Sequence, residues 1–204
     1  MTSDVAIRDE YGDHLLTPSN SVVVLIDYQP LQVRSIKSMD PQQMIANVVR
    51  VAETARLYDV PIVVSTVNVG TGENTPTIGE LSSVLGDIPE IDRTAINAWE
   101  DKEFREAVAA TGRRKIIMAA LWTEACLTFP AIDLMHGGYE TYPVVDAVGG
   151  TSALAHETAL RRLEQSGAHL TTWVQVICEL QRDWNRSRTK DGFFDLLFKT
   201  GVEA

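Results

Sequence analysis

The chain has 204 residues, 45% of them hydrophobic and 23% charged, with a formal net charge of −10 and two cysteines. Such a size and composition fit one domain with an ordinary core. The negative charge argues against nucleic acid or an anionic membrane as the main partner, no apolar run approaches a membrane span, and Cys126 and Cys178 cannot form a disulfide framework.

Met1 to Asn20 is charged along its length and lacks the apolar core of a secretory signal, so a reducing cytoplasm is the expected location. Val22-Val23-Val24-Leu25-Ile26 then reads as a buried strand that ends on Asp27. Asp40, followed by Pro41 and Gln43, predicts a capped helix start with a capping box. Ile45, Val48, Val49, Ala52 and Ala55 mark its inward face. Pro61 to Ser65 reads as a second strand, and a Gly/Thr/Asn/Pro-rich loop follows from about Asn68 to Thr77. A short amphipathic piece lies near Leu81 to Leu85, and Glu90 to Thr94 gives a short third strand.

A helix with Phe104, Ala107 and Val108 inward ends near Gly112. Lys115-Ile116-Ile117-Met118-Ala119-Ala120 is a fourth, buried strand that leads through Leu121-Trp122-Thr123-Glu124-Ala125 to Cys126 and a helix. Glu140 to Val145 reads as a fifth strand. Asp146 to Ser152 forms a turn that caps a helix with Ala155, Ala159 and Leu163 inward. Ala168 to Thr172 reads as a sixth strand and Trp173 to Trp184 as a helix. The core thus spans about residues 21–184. The tail, 185–204, carries Phe193, Phe194, Leu196, Leu197 and Phe198, which need cover from this subunit or from a neighbour.

Alternating strands and helices predict a three-layer α/β fold with a mostly parallel, doubly wound six-stranded sheet. In the common order 3-2-1-4-5-6, strands one and four meet at the switch point, where ligands bind beyond the C-terminal strand ends. Asp27 and Cys126 both stand there. A thiol nucleophile with a carboxylate partner is one reading of that pairing. Cys126 sits in the first turn of its helix, with Thr123 as the expected cap, a position that favours thiolate and aims its backbone N–H at a developing oxyanion. The alternative is a small buried hydrophobe. Asp27 fits a general base, a cap or a metal ligand. Arg93 fits a partner for a thiolate or a member of an ion pair. Pro130 withholds a donor from the Cys126 carbonyl and distorts the helix.

Val22 to Gln29, Ile91 to Asp101 (with Arg93-Thr94-Ala95-Ile96-Asn97-Ala98-Trp99-Glu100-Asp101) and Leu121-Trp122-Thr123-Glu124-Ala125-Cys126 resemble the isochorismatase-like cysteine hydrolases, most of all the YcaC-like subgroup. The likeness extends through Asp146 to Ser152 and Thr172 to Gln175. It implies a Rossmann-like hydrolase fold and a catalytic triad of Asp27, Arg93 and Cys126, with Arg93 in a place where the wider family has lysine and this subgroup has arginine. It also implies a cis peptide at Leu121-Trp122, an oxyanion hole made by the N–H groups of Trp122 and Cys126, and a homo-oligomer, an octamer in the subgroup. Gln29, Trp122 and Thr151 are the expected substrate contacts. Arginine cannot release a proton as lysine can, so proton transfer would fall to Asp27.

Nicotinamidases of the family carry an Asp-x-His-x-x-His metal site after the second strand. None of His14, His136, His156 and His169 lies in that loop, so neither a catalytic metal nor another cofactor is expected. Gly70-Thr71-Gly72 lacks the third glycine of a dinucleotide loop, and Gly150-Thr151-Ser152 is a fragment of a nucleophile elbow. The expected activity is cleavage of a C–N bond in a small amide-like molecule through a thioester. The rivals are a thiol redox or scavenging protein, with Cys178 as resolving partner, and a silent binding protein on a hydrolase fold.

Overall fold

A computed structural model describes residues 9–199. Its sheet has five parallel strands in the order β3-β2-β1-β4-β5. These are β1 (Ser21–Ile26), β2 (Ile62–Val67), β3 (Glu90–Arg93), β4 (Lys115–Ala120) and β5 (Glu140–Pro143). The expected order therefore holds for five strands. The sixth is a single bridge between Val144 and Thr171. The segment between the helix C-cap at Ser166 and the cap at Thr172 still runs beside β5, the His169 and Thr171 N–H groups donating to the Thr141 and Pro143 carbonyls at 2.9 Å, but it is too short to extend the sheet as a full strand.

β1 and β4 are buried at every position, which explains their unbroken apolar runs. Helices cover both faces. On one, α2 (Pro41–Leu57) packs with α3 (Gly79–Leu85), α7 (Trp173–Gln181) and α8 (Lys190–Phe194), and on the other α5 (Thr128–His136) packs with α6 (Ala153–Gln165). The remaining helices are α1 (Pro30–Arg34) and α4 (Lys102–Ala110), whose Phe104 and Val108 are fully buried. One continuous hydrophobic cluster runs from Leu16 to Phe193.

Local signals are read with mixed success. Asp40 caps α2 by accepting from the Gln42 N–H, but there is no capping box: Gln43 turns along the helix and donates to Asn47 at 3.0 Å. Ser152 caps α6 and Thr172 closes a full capping box with Gln175. α7 ends at Gln181 rather than Trp184, because Arg182 takes a left-handed φ of 61°. The tail folds back on its own subunit. A Cβ on Gly192 would lie 2.6 Å from a Leu57 methyl, so only glycine permits that approach. Phe193 is buried and meets Trp184 edge-on, while Phe198 remains exposed. The part of the tail beyond Lys199 lies outside the described residues. No helix among those described is long and apolar enough to cross a membrane.

Candidate active site

The parallel register sets Ile26 level with both Ser65 of β2 and Ala120 of β4, so the residues just past three adjacent strands share one cleft edge. Asp27 follows β1 directly. Its N–H extends the ladder to the Ser65 carbonyl at 2.9 Å, and its φ of 62° then turns the chain away from the strand direction. Left-handed backbone at a non-glycine residue is strained and clusters at functional sites.

Arg93 ends β3, two strands away, and reaches across β2 to Asp27. Nη1 and Nη2 each donate to a different carboxylate oxygen at 2.7 Å. Both side chains are completely buried. The bidentate fit of guanidinium to carboxylate is the geometry in which a desolvated ion pair is best compensated. Nη1 also donates to Ser65 Oγ at 3.1 Å and to the Thr66 carbonyl at 2.9 Å, while Nη2 donates to the Ile96 carbonyl at 3.3 Å. The ion-pair reading of Arg93 therefore applies, and the partner is the proposed base rather than the thiol.

Cys126 comes to the same point from β4. The Leu121-Trp122 peptide is cis. Residues Thr123–Leu127 then form a π turn that runs into α5. The wide turn lies just upstream of Pro130, whose missing N–H prevents a regular α ladder there. Thr123 is not the cap. Trp122 takes that position without a side-chain bond, and the Thr123 hydroxyl instead pairs with His156 Nδ1 at 2.8 Å. The Cys126 thiol is 8% exposed. Burial pushes its pKa up, and the Asp27 charge and the hydrogen bond to Asp27 push the same way, against smaller opposing effects from Arg93 and from the Trp122 N–H. Burial and the Asp27 charge thus favour the protonated thiol over the free thiolate expected of a helix N-terminus.

Asp27, Arg93 and Cys126 are brought together, and Trp122 adjoins them. Its indole N–H donates to Ser35 Oγ at 2.5 Å, so its ring is held from behind. Gln29 is not free to meet a substrate. Its amide donates to the Val67 carbonyl at 3.0 Å and the Thr75 carbonyl at 2.7 Å and accepts from the Val67 N–H at 3.0 Å, using its polar atoms to pin the loop after β2. Thr151 likewise spends its N–H and hydroxyl on Glu124 Oε1, at 2.9 and 2.6 Å. Sequence reasoning missed Glu124, Ser65 and Asp92. The last accepts from the N–H groups of Val69 and Gly70, which is the use made of the Gly70-Thr71-Gly72 loop. Among the described residues no cluster of three or more His, Cys, Asp or Glu could hold a metal.

The sequence profile of the isochorismatase domain matches residues 21–175. The chain belongs to the isochorismatase family. Within this family it is 35% identical to the probable hydrolase YcaC of Escherichia coli K12 over 83% of this chain and 81% of that one. The isochorismatase-family fold also superposes on YcaC of Pseudomonas aeruginosa, in a structure with hexane-2,5-diol and covalent acrylamide, with a TM-score of 0.85, 31% identity and 90% of each chain covered. The YcaC gene product of Escherichia coli, an octameric hydrolase of unknown specificity, superposes with a TM-score of 0.85 at 32% identity over 92% of each chain. The chain is accordingly an isochorismatase-family hydrolase by descent and by fold.

Proposed function

We propose that the chain is a cysteine-dependent hydrolase that cleaves a C–N bond of a small amide-like molecule. The observation that carries this reading is the meeting, at one cleft edge, of the buried Cys126 thiol with an Asp27 carboxylate gripped on both oxygens by Arg93, close enough for the Asp27 charge to act on the sulfur. Asp27 takes the thiol proton as sulfur attacks the substrate carbonyl, forming a C–S bond and a tetrahedral oxyanion. The N–H groups of Trp122 and Cys126 donate to that oxygen and stabilise its charge. Asp27 then returns the proton to the leaving nitrogen as the C–N bond breaks. Water, deprotonated by Asp27, hydrolyses the thioester and restores the thiol. Arg93 stays charged throughout and fixes the carboxylate.

Two further findings support this chemistry. Acrylamide, an electrophile that adds to nucleophiles at its C=C bond, is bound covalently in the related Pseudomonas aeruginosa YcaC, which supports a reactive nucleophile in such proteins. Cys178 is exposed on α7, which packs with α2 on the sheet face opposite α5, the helix into which the Cys126 turn runs, and that placement speaks against a resolving partnership. By analogy with octameric YcaC the chain forms a homo-oligomer, and two unbonded thiols suit a cytoplasmic setting. The test is turnover of a panel of small amides by Cys126→Ala and Cys178→Ala. The first is expected to abolish hydrolysis and the second to leave it within about twofold, a surface change remote from the reacting atoms. Undiminished turnover in Cys126→Ala ends the assignment.

A further inference from the structure

The turn that presents Cys126 is fastened to the loop before α6, and the fastening passes through Glu124. One oxygen of its carboxylate, Oε1, accepts both from the Thr151 N–H at 2.9 Å and from the Thr151 hydroxyl at 2.6 Å. Beside it, the Thr123 N–H donates to the Gly149 carbonyl at 2.9 Å. The loop is itself held from its far side. Ser38 Oγ accepts from the Gly150 N–H at 2.9 Å, and the Lys37 N–H donates to the Gly150 carbonyl at 3.0 Å. The contact is close: a Cβ on Gly150 would lie 2.6 Å from Glu124 Oε2. Oε2 is buried without a hydrogen-bond partner, so the carboxylate accepts a desolvation cost in order to reach Thr151. A π turn is a poor structure on its own, and its shape has to be imposed by what surrounds it.

We propose that Glu124 is a positioning residue for the nucleophile. By holding Thr151 through a single oxygen, it keeps the π turn in the shape that brings the Cys126 sulfur to the Asp27–Arg93 pair. Thr151 is its counterpart, and acts on the reaction through Glu124 rather than through substrate. The proposal rests on the reading of Cys126 as nucleophile, and deepens it.

The test measures the rate of Cys126 modification by acrylamide in the full chain carrying Cys178→Ser, read by peptide mass spectrometry, with a thermal midpoint for each variant. Glu124→Ala removes the grip and Thr151→Val removes its shorter, hydroxyl half while keeping the backbone N–H, and each is expected to slow modification about tenfold or more, since small misplacements of reacting atoms are costly. Glu124→Gln and Thr151→Ser keep the acceptor and the donors, and are expected to stay within about threefold of the parent. Thr151→Val is close to isosteric, so it carries the test if Glu124→Ala fails to fold. Rates within threefold for Thr151→Val overturn the proposal, even if the midpoint falls. So do Glu124→Gln and Thr151→Ser as slow as the disruptive pair, because hydrogen-bond geometry is then not the variable. An unreactive Cys126 in the parent chain would instead remove the nucleophile reading on which the proposal stands.

Discussion

Both edges of the sheet bury charge, and they do so to different ends. At the N-terminal edge Lys115 opens β4. Its ammonium donates to the His14 carbonyl at 2.8 Å, to Glu140 at 3.1 Å and to the Tyr142 hydroxyl at 3.0 Å. All three protons are used and nothing is left to react. Glu140 keeps nearly half of its side chain in water, so that pair is only partly desolvated. At the C-terminal edge the Asp27–Arg93 pair is wholly buried, the Arg93 Nε–H has no acceptor, and the carboxylate also carries a thiol. The first network is closed and serves the fold. The second holds a movable proton and an unsatisfied donor, at the edge where parallel sheets bind ligands.

That contrast is broken most sharply by removing one partner from each edge. Arg93→Met leaves Asp27 buried without its counter-charge, and is expected to cost about 3–5 kcal/mol in urea unfolding together with loss of turnover. Lys115→Met leaves Glu140 free to resolvate, so about 1–2 kcal/mol is expected with turnover unchanged. Its acid dependence should change as well. Burial works against ionisation of Glu140, but hydrogen bonds from Lys115 and Tyr142 outweigh it and hold the carboxyl below its ordinary range. A depressed carboxyl contributes stability above its unfolded value that is lost as pH falls through the folded one. Loss of that acid-side slope in Lys115→Met, followed by unfolding between about pH 5 and pH 3, checks the sign. The smallest effect is expected from Gln29→Ala, which frees the Val67 and Thr75 backbone groups: about 1 kcal/mol, with faster amide exchange at Val67. A large loss of substrate affinity in Gln29→Ala, with unchanged exchange, would restore Gln29 as a substrate contact.

The sequence shows most plainly what depends on burial and on strand ends. The apolar runs of β1 and β4 announce two central parallel strands, and the residues after them, Asp27 and Cys126, fall together because the sheet reverses its order between β1 and β4. Arg93 was visible as a charge closing β3, but its reach across β2 to Asp27 depends on a register that local pattern does not encode. The sixth strand is reduced to a bridge: His169 and Thr171 bond to Thr141, Pro143 and Val145 along β5 and just past it, but only Thr171 pairs in register, with Val144, before Thr172 caps the next helix. Gln29 stands two residues after Asp27, and Thr151 bonds the turn that carries Cys126. Their polar atoms are taken by backbone groups and by Glu124, contacts with partners 27 to 46 positions away that spacing cannot show. Pro130 announces a distortion in the helix that follows β4, but not its form, a π turn bonded through Thr123 and Glu124 to Gly149 and Thr151.

The most direct measurement of the central claim is the pH profile of acrylamide addition to Cys126 in the Cys178→Ser chain. Burial and the Asp27 charge hold this thiol protonated beyond the range of an ordinary cysteine, so the rate should keep climbing past about pH 8.5, and Asp27→Asn should move the climb to lower pH. A rate that levels off below about pH 8, unmoved by Asp27→Asn, would contradict the account, because sulfur and carboxylate would then not share the proton on which the chemistry depends.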